Sequence, residues 1–454
     1  MTRRNLTVLF LVAIVSLVCF RRAERNPFAR FLAHALQKVE TEALNPVSSQ
    51  DLFDGAMEGM VEQLDEYSGY INAKDAAEFE ADLTQEFGGV GVLIRLEPAG
   101  EAPGARQVLT VINPPLFGTP AQKVGIEVRD QILEINGLPT SEMTMRDVLH
   151  TMRGPVGEPV ALLVNRDGFD QPRTFDVVRE VINVPSVVGS RPHPDGSWKF
   201  ALEQDPRIAH LRILNFGEKT SEEFAEAMQS VHEQGFAAVV IDLRDNPGGL
   251  LDAAVEISDL FLPADREIVS IRGRGDKPRR QYIATGDGPY PGIPLVVMVN
   301  HYSASASEIL AACLQDNQRA IIVGQRSWGK GTIQHVIPIQ AGKALLKLTA
   351  ARYVRPNGAN IHRAKDAREE DAWGVMPKPE MTIRLTEREM ALLRNWRQQQ
   401  DIVITERSSP PTPESYAGEP PEPALAEPAD SQLELAIETL QQILDGRRMP
   451  GSQE

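Results

Sequence analysis

Two segments of this chain carry residues able to act together on a carbonyl group. Ser305 lies in Asn300-His-Tyr-Ser-Ala-Ser305-Ala306-Ser-Glu-Ile-Leu, and Lys330 follows 25 residues later in Arg326-Ser-Trp-Gly329-Lys330-Gly331-Thr-Ile-Gln334. A serine hydroxyl is a weak nucleophile until a base takes its proton, and lysine can be that base only when neutral. Burial disfavours the ammonium and lowers its pKa, towards the value near ~7 that general-base catalysis needs. Gly329 and Gly331 let the backbone pass close beside a wall, and Trp328 offers apolar cover. The pairing points to a Ser-Lys hydrolase.

Such chemistry also needs donors for the developing oxyanion. Ser305 opens an apolar helical pattern, so the amide of Ala306 is free at the first turn, where the helix dipole favours negative charge. Asp242-Leu-Arg244-Asp-Asn246-Pro247-Gly248-Gly249 leaves an apolar strand and ends in two glycines able to present further amides. Gly248 is the favoured donor, although spacing does not choose between Gly248 and Gly249. Nor does it choose among Ser303, Ser305 and Ser307 as nucleophile. Asp316 is eleven residues past Ser305, roughly 16 Å along a helix axis, too far for a direct triad. It reads as structural.

These residues need a scaffold, and the chain of 454 residues is long enough for two or three domains. The formal net charge of −16 argues against nucleic acid as a partner, because a phosphate-binding surface needs a basic excess. Two cysteines, Cys19 and Cys313, both in apolar runs, make neither a disulfide framework nor a metal site. Residues 5–20 form an apolar run after Arg3 and Arg4, with Arg21 and Arg22 in place of a small-residue cleavage site. The expectation is an export signal over 1–22, more an uncleaved anchor than a cleaved peptide.

Helical spacing follows over residues 23–85, with Leu52, Ala56, Met60 and Leu64 repeating every four residues. Residues 86–185 mix strands with one helix. Phe87-Gly88-Gly89-Val90-Gly91-Val92-Leu93-Ile94 is a glycine loop running into a strand from Val90 to Ile94, and Asn136-Gly137 marks a tight turn. A helix is expected over Met145–Met152 and a strand from Pro159 to Arg166. Residues 186–396 alternate strands and helices as an α/β core: the strand around Ala237–Leu243 is continuously apolar, as for a sheet covered on both faces, and Ser221 should cap a helix that buries Phe224. Residues 397–430 are rich in proline and glutamate, a linker composition. Residues 431–448 place Leu433, Ala436, Ile437, Leu440 and Ile443 on one helix face, to pack on the core or on a second subunit.

The order of the 86–185 segment resembles a PDZ domain. That resemblance implies capture of an extended peptide by strand addition, with Gly88, Gly89, Val90 and Gly91 cradling a terminal carboxylate on bare backbone amides.

The whole of residues 30–385 resembles the carboxy-terminal processing serine peptidases, or tail-specific proteases. The resemblance is carried by the glycine loop, Asp242 to Gly249, Ser303-Ala-Ser305-Ala-Ser-Glu-Ile309, Gly329-Lys330-Gly331 with Gln334, and Thr349-Ala-Ala-Arg352-Tyr353. It implies a crotonase-like α/β catalytic core with an inserted PDZ domain and an N-terminal helical segment. It makes Ser305 the nucleophile, Lys330 the general base and Gln334 an orienter of the lysine. Protein or peptide substrates with free C-termini are implied, with no metal or cofactor, in an exported protein anchored in the inner membrane. Homo-oligomers would form through the N- or C-terminal helices. Two departures are Pro377-Lys378 where the family has Pro-Asp, and Trp328 where it has phenylalanine. The rival readings are an enoyl-hydratase-like activity on the same core and a non-catalytic membrane-anchored PDZ scaffold. Retention of both Ser305 and Lys330 argues against them.

Overall fold

The computed structural model describes residues 27–84, 86–98, 107–193, 196–401 and 427–446, with a few positions of the leading apolar run. The expected export signal therefore lies mostly outside the described residues, as does most of the proline-rich stretch. No described helix is long and apolar enough to cross a membrane.

The chain divides into two units: residues 1–76 with 334–349, and residues 77–333 with 350–454. The first contains the helices Pro27–Glu42 and Ser49–Val61, the latter capped by Ser48, whose side chain accepts from the Asp51 amide. Its strand Gly69–Ile71 runs antiparallel to Leu345–Lys347, with Tyr70 opposite Leu346. A stretch expected to lie wholly within the catalytic core thus completes the N-terminal unit.

The second unit holds a PDZ-like sheet and the α/β core. The sheet runs in the order Ile94–Pro98, Gln107–Val111, Gln131–Ile135, Pro159–Asn165, Arg173–Val178. Leu109, Val111, Ile132, Ile135, Val160, Leu162 and Val164 are its fully buried apolar face, covered by Val148 and Met152 of the helix Met145–Met152. That helix begins in a reciprocal capping box between Thr144 and Asp147. Asn136 and Gly137 take φ of 52° and 77°, the mirror-image turn their types favour. The strand expected from Val90 starts only at Ile94. Val90 and Gly91 instead hold a bend whose carbonyls accept from the Ala121 and Leu116 amides, both at 2.9 Å.

In the core, strands Ile208–Ile213, Ala238–Asp242, Leu295–Val299 and Ile321–Gly324 lie parallel, flanked by the antiparallel Val187–Val188. The first three of the parallel strands are buried at every residue, as two-sided cover requires. Helices Thr220–Glu233, Leu251–Asp259 and Ala306–Asp316 pack on one face. The terminal helix Ser431–Leu444 packs on the other through Ala436, Ile437 and Leu440. The first helix starts at Thr220 rather than after Ser221, because the Thr220 hydroxyl turns back to accept from the Gly217 amide at 2.8 Å. Phe224 is fully buried on it. The helix Glu387–Gln400 runs past the expected end of the core, and its Thr386 cap satisfies the Glu389 amide.

Candidate active site

The strand Leu295–Val299 delivers a short loop and then the helix Ala306–Asp316. Three serines compete there, and their hydrogen bonds separate them. Ser303 is fully buried: its hydroxyl donates to the Leu243 carbonyl at 2.7 Å and accepts the Asn300 amide at 2.9 Å. Ser307 is also fully buried and donates to the Asn246 carbonyl at 3.1 Å. Both hydroxyls are engaged in fixing the loop. Ser305 alone sits in a strained conformation, φ 56° and ψ −113°, which for a residue with a Cβ costs of the order of 1–3 kcal/mol. Its side chain lies beside the Tyr353 phenol, whose pKa burial pushes up and the neighbouring serine draws down.

Glu308 joins the serine loop to the lysine loop. It is fully buried three residues after Ser305, and four donors converge on its carboxylate. The amides of Ser305 and Lys330 reach Oε2, each at 2.8 Å, while the Ser327 hydroxyl at 2.6 Å and the Gly329 amide at 2.7 Å reach Oε1. Burial pushes this acid up to about 7, against the pull of those donors. One side chain thereby fixes the backbone at both Ser305 and Lys330. The expected motif contained Glu308, but its role depends on closing a loop of more than twenty residues, which local pattern does not report.

The glycines beside Lys330 have steric reasons. A Cβ on Gly331 would lie 2.2 Å from the His362 amide nitrogen, and one on Gly329 would lie 2.7 Å from the Arg363 Cβ. Lys330 itself is half-buried. The apolar wall is Trp373, 2.9 Å from that second Cβ position, whereas Trp328, expected as cover, is 45% exposed.

Gly248 packs directly on Ser305: a Cβ there would lie 2.7 Å from the Ser305 Cβ and 2.9 Å from the Ala306 nitrogen. The amide of Gly248 donates to Asn246 Oδ1 at 2.8 Å. Among the described residues the amides of Gly249 and Ala306 make no hydrogen bond. The expectation that leaned to Gly248 as oxyanion donor therefore meets an amide that is already engaged.

The loop bearing these glycines is tethered from behind. Arg244, buried, makes a double contact with Asp242, Nε to Oδ1 at 2.9 Å and a terminal nitrogen to Oδ2 at 2.7 Å. It makes a second double contact with Asp430, at 2.7 and 2.9 Å. Asp430 caps the terminal helix, accepting from the Leu433 amide at 3.1 Å. Asp316 is structural, as expected: both its oxygens hold Arg355, at 2.6 and 3.1 Å.

Gln334 belongs to the first unit. There its Nε2 donates to the Thr349 hydroxyl at 3.2 Å, and that hydroxyl donates to Asp65 at 2.8 Å. Burial would raise the Asp65 pKa, but bonds from Thr349, Ser68 and two backbone amides bring it below the usual range. Outside the PDZ-like sheet, Gly88, in the strand Glu86–Gly89 that pairs with Glu180–Asn183, and Gly91, after that strand, are required by close approaches. A Cβ would lie 2.1 Å from the Gly154 oxygen in the first case and 2.3 Å from the Thr119 Cβ in the second. Gly89 would meet the Phe87 ring at 2.7 Å, and Val90 is buried.

Residues 207–372 match the peptidase family S41 model, and residues 111–166 match a PDZ domain model. The chain is 36% identical over 345 residues to the carboxy-terminal-processing protease of Bartonella bacilliformis, covering 74% of each chain. It is 32% identical to the carboxyl-terminal-processing protease of Synechocystis, covering 73% of this chain and 71% of that one. Among solved structures it resembles a photosystem II D1 C-terminal processing protease at 26% identity and a TM-score of 0.43, over 77% of this chain and 86% of that one. The chain belongs to the carboxy-terminal processing serine proteases of peptidase family S41, with a PDZ domain preceding its peptidase domain.

Proposed function

We propose that this peptidase cuts unstructured C-terminal regions of exported proteins with a Ser305–Lys330 dyad on a crotonase-like core. Neutral Lys330 takes the Ser305 proton as the hydroxyl attacks the scissile carbonyl, and the lysine then protonates the departing amine. The oxyanion is received by the amide of Ala306 and by one amide of the Gly248–Gly249 pair. Gly249 offers an unengaged amide, and Gly248 serves only by leaving Asn246. Gln334 orients the lysine. The observation that carries this reading is the buried Glu308 carboxylate, which ties the Ser305 amide to the Lys330 amide. The test is cleavage of an unfolded tail peptide by the Ser305→Ala chain, with Ser303→Ala and Ser307→Ala as controls. Retained turnover in Ser305→Ala would refute the assignment.

The PDZ loop, Gly88 to Gly91, would hold the substrate's terminal carboxylate. The apolar run 5–20 would anchor the enzyme in the inner membrane with its catalytic unit outside the cytoplasm. Protease protection in intact and opened cells tests that placement. Self-association would use the N-terminal helix Pro27–Glu42, whose Phe28, Phe31 and Leu32 are more than half exposed. The terminal helix, with its apolar face on its own core, is the weaker candidate. Sedimentation of the Phe28→Ser, Phe31→Ser chain against the parent tests this.

A further inference from the structure

Residues 272–280 concentrate charge of the sign opposite to that of the chain. Arg272, Arg274, Lys277, Arg279 and Arg280 accompany a single acid, Asp276, in a protein of net charge −16. They form the hairpin between the antiparallel strands Glu267–Gly273 and Pro278–Ile283, and Arg274 to Arg280 are exposed. Asp276 is already shared by Arg352 and Arg272, at 2.5 and 3.5 Å.

This hairpin is in register with the nucleophile's phenol partner. Ile271 stands opposite Arg280 on one side and opposite Tyr353 on the other. Directly opposed residues of antiparallel strands share a face, so Arg280, Ile271 and Tyr353 form one rung of side chains on the same face. Tyr353 is the phenol beside the Ser305 side chain. Two strand spacings separate Arg280 from Tyr353, about 10 Å, which an extended peptide covers in about three residues. Arg280 is also tied to the wall of the site. Its guanidinium lies 4.2 Å over the Tyr282 ring, and the Tyr282 hydroxyl donates to Asp252 at 3.2 Å. Asp252 is in the first turn of the helix that follows Gly248 and Gly249.

We propose that Arg280, within this basic hairpin, forms a cationic subsite that takes an acidic side chain of the polypeptide substrate about three residues from the cleaved bond. The proposal rests on Ser305 as the nucleophile. A polypeptide is the partner because the patch continues the strands beside Ser305, where the substrate backbone has to run. Two acids lie near the subsite, Asp252 and Asp276, and both are already engaged. Asp252 accepts from Tyr282, and Asp276 is held by Arg352 and Arg272, one position along from the Ile271–Tyr353 rung, which leaves Arg280 as the cation of that rung.

The test is kcat/KM for a set of peptides that differ at one position, carrying Glu, Gln or Lys at each of four places on either side of the cleaved bond. The parent should prefer Glu over Lys at one of these places, about three- to tenfold at low salt, as exposed charge pairs allow. The preference should shrink in 0.5 M salt. Arg280→Gln should flatten the Glu/Lys ratio and Arg280→Glu should invert it. A ratio is unaffected by a general loss of folded enzyme. Cleavage of the set with no charge preference, or a ratio unchanged in both variants, overturns the subsite and leaves the dyad standing. The arginines would then only guard an edge strand against pairing, and Arg280→Glu would show itself in aggregation instead. A parent that cuts none of the peptides, while Ser305 resists acylating reagents, sinks the dyad and the subsite together.

Discussion

Asp430 holds Arg244 by both carboxylate oxygens, across 186 residues of sequence, while capping the last helix of the chain. Burial alone would raise the Asp430 pKa, but Arg244 and Arg397 bring it well below the usual carboxylate range. An acid depressed in this way stabilises the fold above its unfolded pKa, and the contribution is lost as pH falls through the folded value. Asp430→Asn should therefore lower stability at pH 7 by about 3 kcal/mol, since it leaves Arg244 and Arg397 short of an acceptor. The deficit should narrow below pH 4. Urea unfolding of both chains at pH 7 and pH 3.5 checks it, and equal stability at pH 7 contradicts it.

Glu308 should be sensitive to removal of its charge. Glu308→Gln replaces one accepting oxygen by an NH2 facing amide donors, which loosens the Ser305 or Lys330 backbone. A fall in kcat of about 100-fold is expected, by comparison with the cost of misplacing a catalytic group by about 1 Å. The pH dependence has a definite sign. The folded pKa of about 7 is above the ordinary glutamate value, so the parent loses stability as pH rises through 7, and the glutamine variant does not. The Tm of the variant relative to the parent should rise between pH 5 and pH 8. A flat difference would contradict the raised value.

Gly331 cannot carry a side chain as the backbone stands. A methyl group would meet the rigid His362 backbone at 2.2 Å. Gly331→Ala should cost roughly 1–3 kcal/mol of stability through forced displacement, and it should lower kcat beyond what unfolding explains, because Gly331 adjoins Lys330. Gly292→Ala, with open space around it, is the control. Thermal melts and turnover of the two variants decide the matter.

If the PDZ loop takes a chain end, amidating the C-terminus of a substrate should lower kcat/KM by roughly 10- to 100-fold, the worth of a charge-assisted hydrogen bond. A bulky residue at Gly89 should reduce that difference. Equal rates for acid and amide would mean that the domain recognises something other than a terminus.

Ser305, Lys330 and the two glycine pairs stand out in the sequence as candidates because each depends on a short motif or a local turn, and the structure shows the close packing that requires Gly248, Gly329 and Gly331. The Asn136-Gly137 turn and the helix Met145–Met152 were legible for the same reason. Glu308, Tyr353 and Asp430 were not, since their roles arise only when distant segments meet. Trp328 and Trp373 show the limit for packing: proximity in sequence to Lys330 favoured the first, but the chain folds the second against Gly329. The terminal helix had an apolar face with two candidate partners, and only the burial of Ala436 and Leu440 against Val240 and Met298 decides for the core.

The central claim is that Lys330 deprotonates Ser305, and the most direct measurement is the rate of fluorophosphonate adduct formation against pH, with the modified residue mapped by mass spectrometry. The account predicts one adduct, on Ser305, forming at a rate that rises through an ionisation well below the ordinary lysine value near ~10.4. Lys330→Arg should be as unreactive as Lys330→Ala, because arginine keeps its proton. An adduct on Ser303 or Ser307, or an arginine variant that labels at the parent's rate, would contradict it.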